Sequence, residues 1–147
     1  EGYDLIYGTN RVLPLLPNAY QQGETAGSNM AGAETLYEGG LAMNAIGFGK
    51  LPMLTAGIIK PESDEFEVLT AADPDSRSYR KLIIKDGKIM GYICLNKVDR
   101  AGILTGLIKA KADITGYKER LLNHDFGYID FPKDYRKAKL AGGGGPW

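Results

Sequence analysis

The sequence predicts an α+β fold in which helices pack on an antiparallel sheet. Three observations lead there. Residues 41–95 read as consecutive strands, and helical patterns dominate after residue 99. Within the strand region Asp86-Gly87 separates two apolar runs, Tyr79–Lys85 and Lys88–Leu95. A two-residue Asp-Gly connection is a strong hairpin signal, because both turn positions need a positive φ. Finally, Ile103, Leu104, Leu107 and Ile108 recur at helical spacing, while Arg100, Lys109 and Lys111 fall on the other side.

Residues 1–13 have no clear period and read as a loop. Pro17 opens a helix over Pro17–Ala31, since proline is tolerated at a first helical position. Small residues Ala19, Gly23, Ala26 and Gly27, continued by Met30, give that helix a stripe suited to tight packing against a sheet or a cofactor. Its glycines lower intrinsic helicity, so a partner outside the helix has to compensate. Gly39-Gly40 breaks the pattern. Leu41–Phe48 and Leu51–Ile59 follow as strands joined at Gly49-Lys50, and Glu65–Ala72 alternates as a third. After the hairpin, Asp99 is placed to cap a helix over Arg100–Ala112, and Thr115 to cap a shorter one reaching Leu122. Pro132 starts a last helix over Lys133–Leu140, and Gly142–Gly145 with Pro146 and Trp147 read as a flexible tail.

Charge and composition narrow the function. Lys plus Arg and Asp plus Glu each number 18 in 147 residues, so the electrostatic footprint of a nucleic-acid or polybasic membrane binder is missing. No apolar run has the length of a bilayer span. Cys94 is the sole cysteine, which excludes an internal disulfide and a Cys-x-x-Cys site and fits a cytoplasmic setting. From a start at Glu1 rather than Met, a piece cut from a longer protein is expected.

Few residues carry chemistry. His124, the one histidine, sits in Asn123-His124-Asp125 after a helix and reads as a surface or capping residue. Cys94 lies mid-strand and reads as a small buried hydrophobe. Asp73-Pro74-Asp75 and Glu62–Glu65 are carboxylate clusters in loops without His or Cys partners, so no metal site is assigned. No G-x-G-x-x-G motif follows a strand. One segment stands apart: Leu15-Leu16-Pro17-Asn18-Ala19 at a helix start, whose free N–H groups from Asn18 and Ala19 onward favour an anion or an electron-rich carbonyl. A helix start docked on protein is the commoner use of such an end, and the residues alone leave both readings open.

Leu16-Pro17-Asn18-Ala19, Gln22-Gly23 and Ala26–Gly32 resemble the segment after the last Gly-Asp motif of flavin-dependent pyridine nucleotide–disulfide oxidoreductases. Tyr79–Leu82, Asp86-Gly87 and Arg100–Ile108 look like their C-terminal domain, in the style of NADH–rubredoxin reductases and the flavoprotein part of assimilatory nitrite reductases. The likeness runs from about Asn10 to about Leu140. It implies that residues 1–39 are the remnant of an FAD-binding domain, that 40–141 form an interface or dimerisation domain, and that 142–147 are a tail. It also implies that Leu15, Leu16, Pro17, Asn18 and Ala19 face the pyrimidine side of the flavin through main-chain groups, favouring the charge of reduced flavin. The parent would take electrons from NAD(P)H through FAD to an acceptor. Both dinucleotide fingerprints, the Gly-Asp acid and any redox-active cysteine would lie before Glu1, so the fragment alone is expected to hold no FAD and to be inactive. Expected partners are the rest of the parent chain, a second copy and an electron-acceptor protein. The rival reading is a stand-alone interaction module, favoured if the gene opens just before Glu1.

Overall fold

The computed structural model describes residues 1–140; the tail expected at 142–147 lies outside them. The chain divides into two compact units, Glu1–Asn44 and the remainder from Ala45 onward.

In the first unit, β1 (Gly2–Asp4) and β2 (Thr9–Arg11) pair antiparallel, and α1 follows at Leu16–Met30. The hairpin corrects the expectation of a plain loop over 1–13. Its cause is a local carboxylate. Asp4 Oδ1 accepts from the Ile6 and Tyr7 N–H groups at 2.8 and 3.3 Å, and Arg11 Nη1 reaches Oδ2 at 3.3 Å. A side chain that turns the backbone leaves no periodic trace in so short a segment. Gly40 closes the unit, donating its N–H to Tyr3 O at 2.7 Å and accepting from Leu5 N at 3.0 Å. A Cβ at Gly40 would lie 2.7 Å from both Leu13 Cδ1 and Tyr37 Oη, so any larger residue there would push those side chains aside.

The second unit holds a five-stranded sheet in the order β3 (Met43–Phe48), β4 (Leu51–Gly57), β7 (Lys88–Leu95), β6 (Ser78–Lys85), β5 (Glu67–Asp73). The β4–β7, β7–β6 and β6–β5 pairings are antiparallel. Asp86 (φ 51°) and Gly87 (φ 68°) make the turn as the Asp-Gly signal requires. The central strands carry the core: Leu82, Ile83, Ile84, Ile89, Tyr92 and Cys94 are buried. α2 (Ala101–Lys109) packs on β7, burying Ala101, Leu104, Leu107 and Ile108, and Tyr92 Oη meets Thr105 Oγ1 at 2.9 Å. The fold class is the predicted one: helices on an antiparallel sheet.

Two caps differ from expectation. Arg100, not Asp99, precedes the first turn of α2, in the left-handed region at φ 63° and without a side-chain cap bond. Tertiary contacts hold it there, because its Nη1 donates to the carbonyls of Asp125 and Phe126. Arg100 therefore does not simply point away. Nor does α2 reach Ala112. Ala112 N bonds Leu107 O at 3.1 Å and Lys111 N bonds Ile108 O at 3.0 Å, with Lys111 at φ 47°. That is a Schellman ending with lysine at the position glycine usually takes. Thr115 caps nothing: its N–H and hydroxyl both donate to Asp113 Oδ1, and a 3-10 helix rather than an α-helix follows at Lys118–Leu122. A second 3-10 turn, Tyr128–Asp130, and α3, Lys133–Leu140, end the described chain.

Candidate functional site

Leu15 is extended (φ −124°, ψ 138°) and precedes α1 without a side-chain cap, with Pro17 at the start of the helix. Leu15 O accepts from Ala19 N at 3.0 Å, so Ala19 offers no free donor, contrary to expectation. Pro17 has none. Among the described residues the N–H groups of Leu16 and Asn18 remain without a backbone partner. Leu16 is 87% exposed, whereas Asn18 is buried and its Nδ2 donates to Leu41 O at 3.2 Å. The asparagine side chain thus anchors the helix start, and what it can offer a ligand is its main-chain N–H.

The two faces of α1 are unequal. Asn18 and Gln22 turn inward, Gln22 Nε2 reaching Tyr37 Oη at 3.4 Å, and Asn29 exchanges two hydrogen bonds with the Thr35 backbone. The opposite face shows Leu16, Tyr20 and Met30 at 75–89% exposure, with Ala19, Gly23, Ala26 and Gly27 between them. A Cβ added to Gly23 or Gly27 would meet nothing within 4 Å. The small-residue stripe that the sequence marked is therefore open.

A second polar group lies in the sheet unit. Arg80 is fully buried and its Nη1 donates to Leu121 O at 3.0 Å and Asn123 O at 2.7 Å. Phe126 stacks its ring 5.5 Å from the guanidinium. Arg80 shares strand parity with Leu82, Ile84 and Ser78, and parity was the sequence signal for its burial; the charge of Tyr79-Arg80-Lys81 masked it. Cys94, its partner across β7, is buried, and burial pushes its thiol pKa up against a weaker opposing pull from Arg80. Such a thiol is a packing group rather than a nucleophile. The carboxylate of Asp73 turns its own loop, accepting from Asp75 N, Ser76 N and Ser76 Oγ. His124 is half-buried, with Nε2 3.3 Å from Ser78 Oγ, and lines a shallow cavity with Ala71, Ala72, Asp73 and Asp125.

Known proteins share this architecture. The crystal structure of NADH:rubredoxin oxidoreductase from Clostridium acetobutylicum has the same fold at a TM-score of 0.53 and 22% identity, the match covering 76% of this chain and 28% of that one. More particularly, residues 46–112 match the family Rubredoxin NAD+ reductase C-terminal domain. The resemblance carried by Tyr79–Leu82, Asp86-Gly87 and Arg100–Ile108 is thereby borne out, since all three stretches lie inside the matched region. The NADH-dependent phenylglyoxylate dehydrogenase subunit epsilon of Aromatoleum evansii is 30% identical over 119 residues, 78% of this chain and 28% of that protein. The chain thus spans little more than a quarter of the length of these relatives. Among the described residues no helix is long and apolar enough to cross a membrane.

Proposed function

We propose that this chain is the C-terminal part of a flavoprotein oxidoreductase that passes electrons from NAD(P)H through FAD to an acceptor. In this reading residues 1–39 complete an FAD-binding domain, and residues 40–141 form an interface domain. The observation that carries it is α1, whose outer face with Leu16, Tyr20 and Met30 is open while Asn18 and Gln22 are turned inward. Leu15, Leu16, Pro17, Asn18 and Ala19 make one wall of the flavin site. FAD, when bound, supplies the ring that accepts hydride. The N–H groups of Leu16 and Asn18 would be the main-chain donors available to an electron-rich carbonyl of that ring. Pro17 fixes the backbone there, the Asn18 side chain anchors it through Leu41 O, and the small side chain of Ala19 permits close approach. The wall is one of several: the sequence has no phosphate-cradling glycine motif, so the chain alone is expected to be colourless and inactive. Its partners are the rest of the parent, a second copy in a homodimer and an acceptor protein, in the cytoplasm.

The test is to express the chain with and without the coding region upstream of Glu1. FAD should copurify with the longer protein only. In that protein Asn18→Pro removes a donor that Asn18→Ala keeps, so the flavin potential should be lower in the proline variant than in the alanine variant. Stoichiometric flavin on the chain alone, or equal potentials in the two variants, would overturn the assignment.

A further inference from the structure

A chain of hydroxyls connects Asp73 to His124 and fixes the direction of every proton in it. Asp73 accepts only, so Ser76 Oγ, 2.6 Å from Asp73 Oδ2, spends its one hydrogen there. Ser76 Oγ is also 2.9 Å from Ser78 Oγ, and with its own hydrogen used it must accept from Ser78. Ser78 then has no hydrogen left for His124, and at 3.3 Å the imidazole Nε2–H must be the donor. Neutral His124 is therefore the Nε2–H tautomer, with Nδ1 bare. Nδ1 is buried and meets no hydrogen-bond partner.

The charges around the ring are mixed. Arg80 from β6 and Lys97 after β7 repel a second positive charge, while Asp73 at the end of β5 and Asp125 on His124's own loop attract one. Lys97 in turn lies 3.7 Å from Asp73 and dilutes its pull. Arg80 is the buried member, and it grips the very segment that carries His124, through Leu121 O and Asn123 O. A proton added to Nδ1 would create a buried N–H with no acceptor beside a fixed guanidinium. The stress falls where the segment can yield, by lifting the ring into water.

We propose that His124 is an acid-sensitive latch, whose protonation at Nδ1 loosens the Leu121–Phe126 segment from Arg80 and the sheet. Burial of the imidazole, reinforced by Arg80 and Lys97, lowers its pKa from the usual histidine value. A group depressed in the fold contributes stability that is complete above its unfolded value, about 6.5, and is lost as pH falls from there through the folded value. In that window the open population of the segment rises by up to about tenfold per pH unit.

His124 is the only histidine, so its ring resonances in the 147-residue chain need no assignment by mutation. Ring nitrogen shifts at pH 7.5 should show a protonated Nε2 and a bare Nδ1, with a titration midpoint below 6.5. Hydrogen-exchange protection factors at Leu121–Phe126 should fall through the same pH range while those of β6 and β7 hold. His124→Gln should remove that dependence. Ser76→Ala, at a half-buried loop position, frees the Ser78 hydroxyl to donate to the ring and should mix the two tautomers without unfolding the sheet. An Nδ1–H tautomer at pH 7.5 would overturn the proposal, as would an unshifted midpoint, pH-independent protection of the segment, or an unchanged tautomer in Ser76→Ala.

Discussion

α1 and α2 are helices of similar amphipathic strength that bury opposite kinds of face. α2 lays Ala101, Leu104, Leu107 and Ile108 against the sheet. α1 buries Asn18 and turns Gln22 inward, and it leaves Leu16, Tyr20 and Met30 in water. A helix gains most of its stability from packing its apolar face, so α2 is completed by its own unit and α1 is not. The contrast extends to the surroundings. The sheet unit has a contiguous core running from Leu82 to Phe131, whereas Leu41 is the only buried hydrophobic residue described in the first unit, where glycine backbone and side-chain hydrogen bonds do much of the holding. An open apolar stripe flanked by small residues marks a surface shaped for something else to cover.

Mutations should separate the two regions by size of effect. Leu104→Ala removes a fully buried side chain under the sheet and should cost about 3 kcal/mol in chemical denaturation of the sheet unit. A loss below about 1 kcal/mol would mean the α2 contact is looser than its burial indicates. Gly91→Ala comes next. Gly91 faces Gly57 across β7 and β4, and a Cβ there would overlap the Ile58 backbone, so about 2 kcal/mol should be lost as the strands part. Lys111→Gly should instead stabilise by roughly 0.5–1 kcal/mol, since the Schellman position then carries no left-handed penalty. A decrease in melting temperature would contradict that account. The smallest effect belongs to α1: Met30→Ser should change the stability of the chain by less than about 0.5 kcal/mol. If the open face pairs two copies, the same substitution should weaken association in sedimentation across a concentration series. A monomer at every concentration would remove the homodimer from the proposal.

What the sequence made legible follows from how local each signal is. The Asp86-Gly87 turn and the helix opened by Pro17 are written in neighbouring residues; the turn appears in place, and the helix, expected over Pro17–Ala31, is found at Leu16–Met30. The start of α2 was misplaced because Arg100 is held by carbonyls 25 and 26 residues away, a contact no local pattern announces. Thr115 failed as a cap because Asp113, two residues earlier, takes both its donors. At the helix start, Leu15 and Pro17 were readable as a terminus. The use of Ala19's N–H was not, since it depends on Leu15 being the residue just outside the first turn. His124 read as a surface residue, and half of its story was missed. Its link to Asp73 runs through Ser76 and Ser78, and a strand, a turn and a distant loop have to fold before the three meet.

On the proposed function, the first unit is an incomplete wall and the sheet unit a finished domain. Native-state hydrogen exchange on the 147-residue chain compares the two in a single sample. Amides of Gln21–Met30 should exchange by local opening, well before the amides of Leu82–Ile84 and Ile89–Cys94, which should open only with the whole sheet unit. Equal protection in α1 and in the β6–β7 hairpin would show that α1 is already covered in this chain, and would contradict the account.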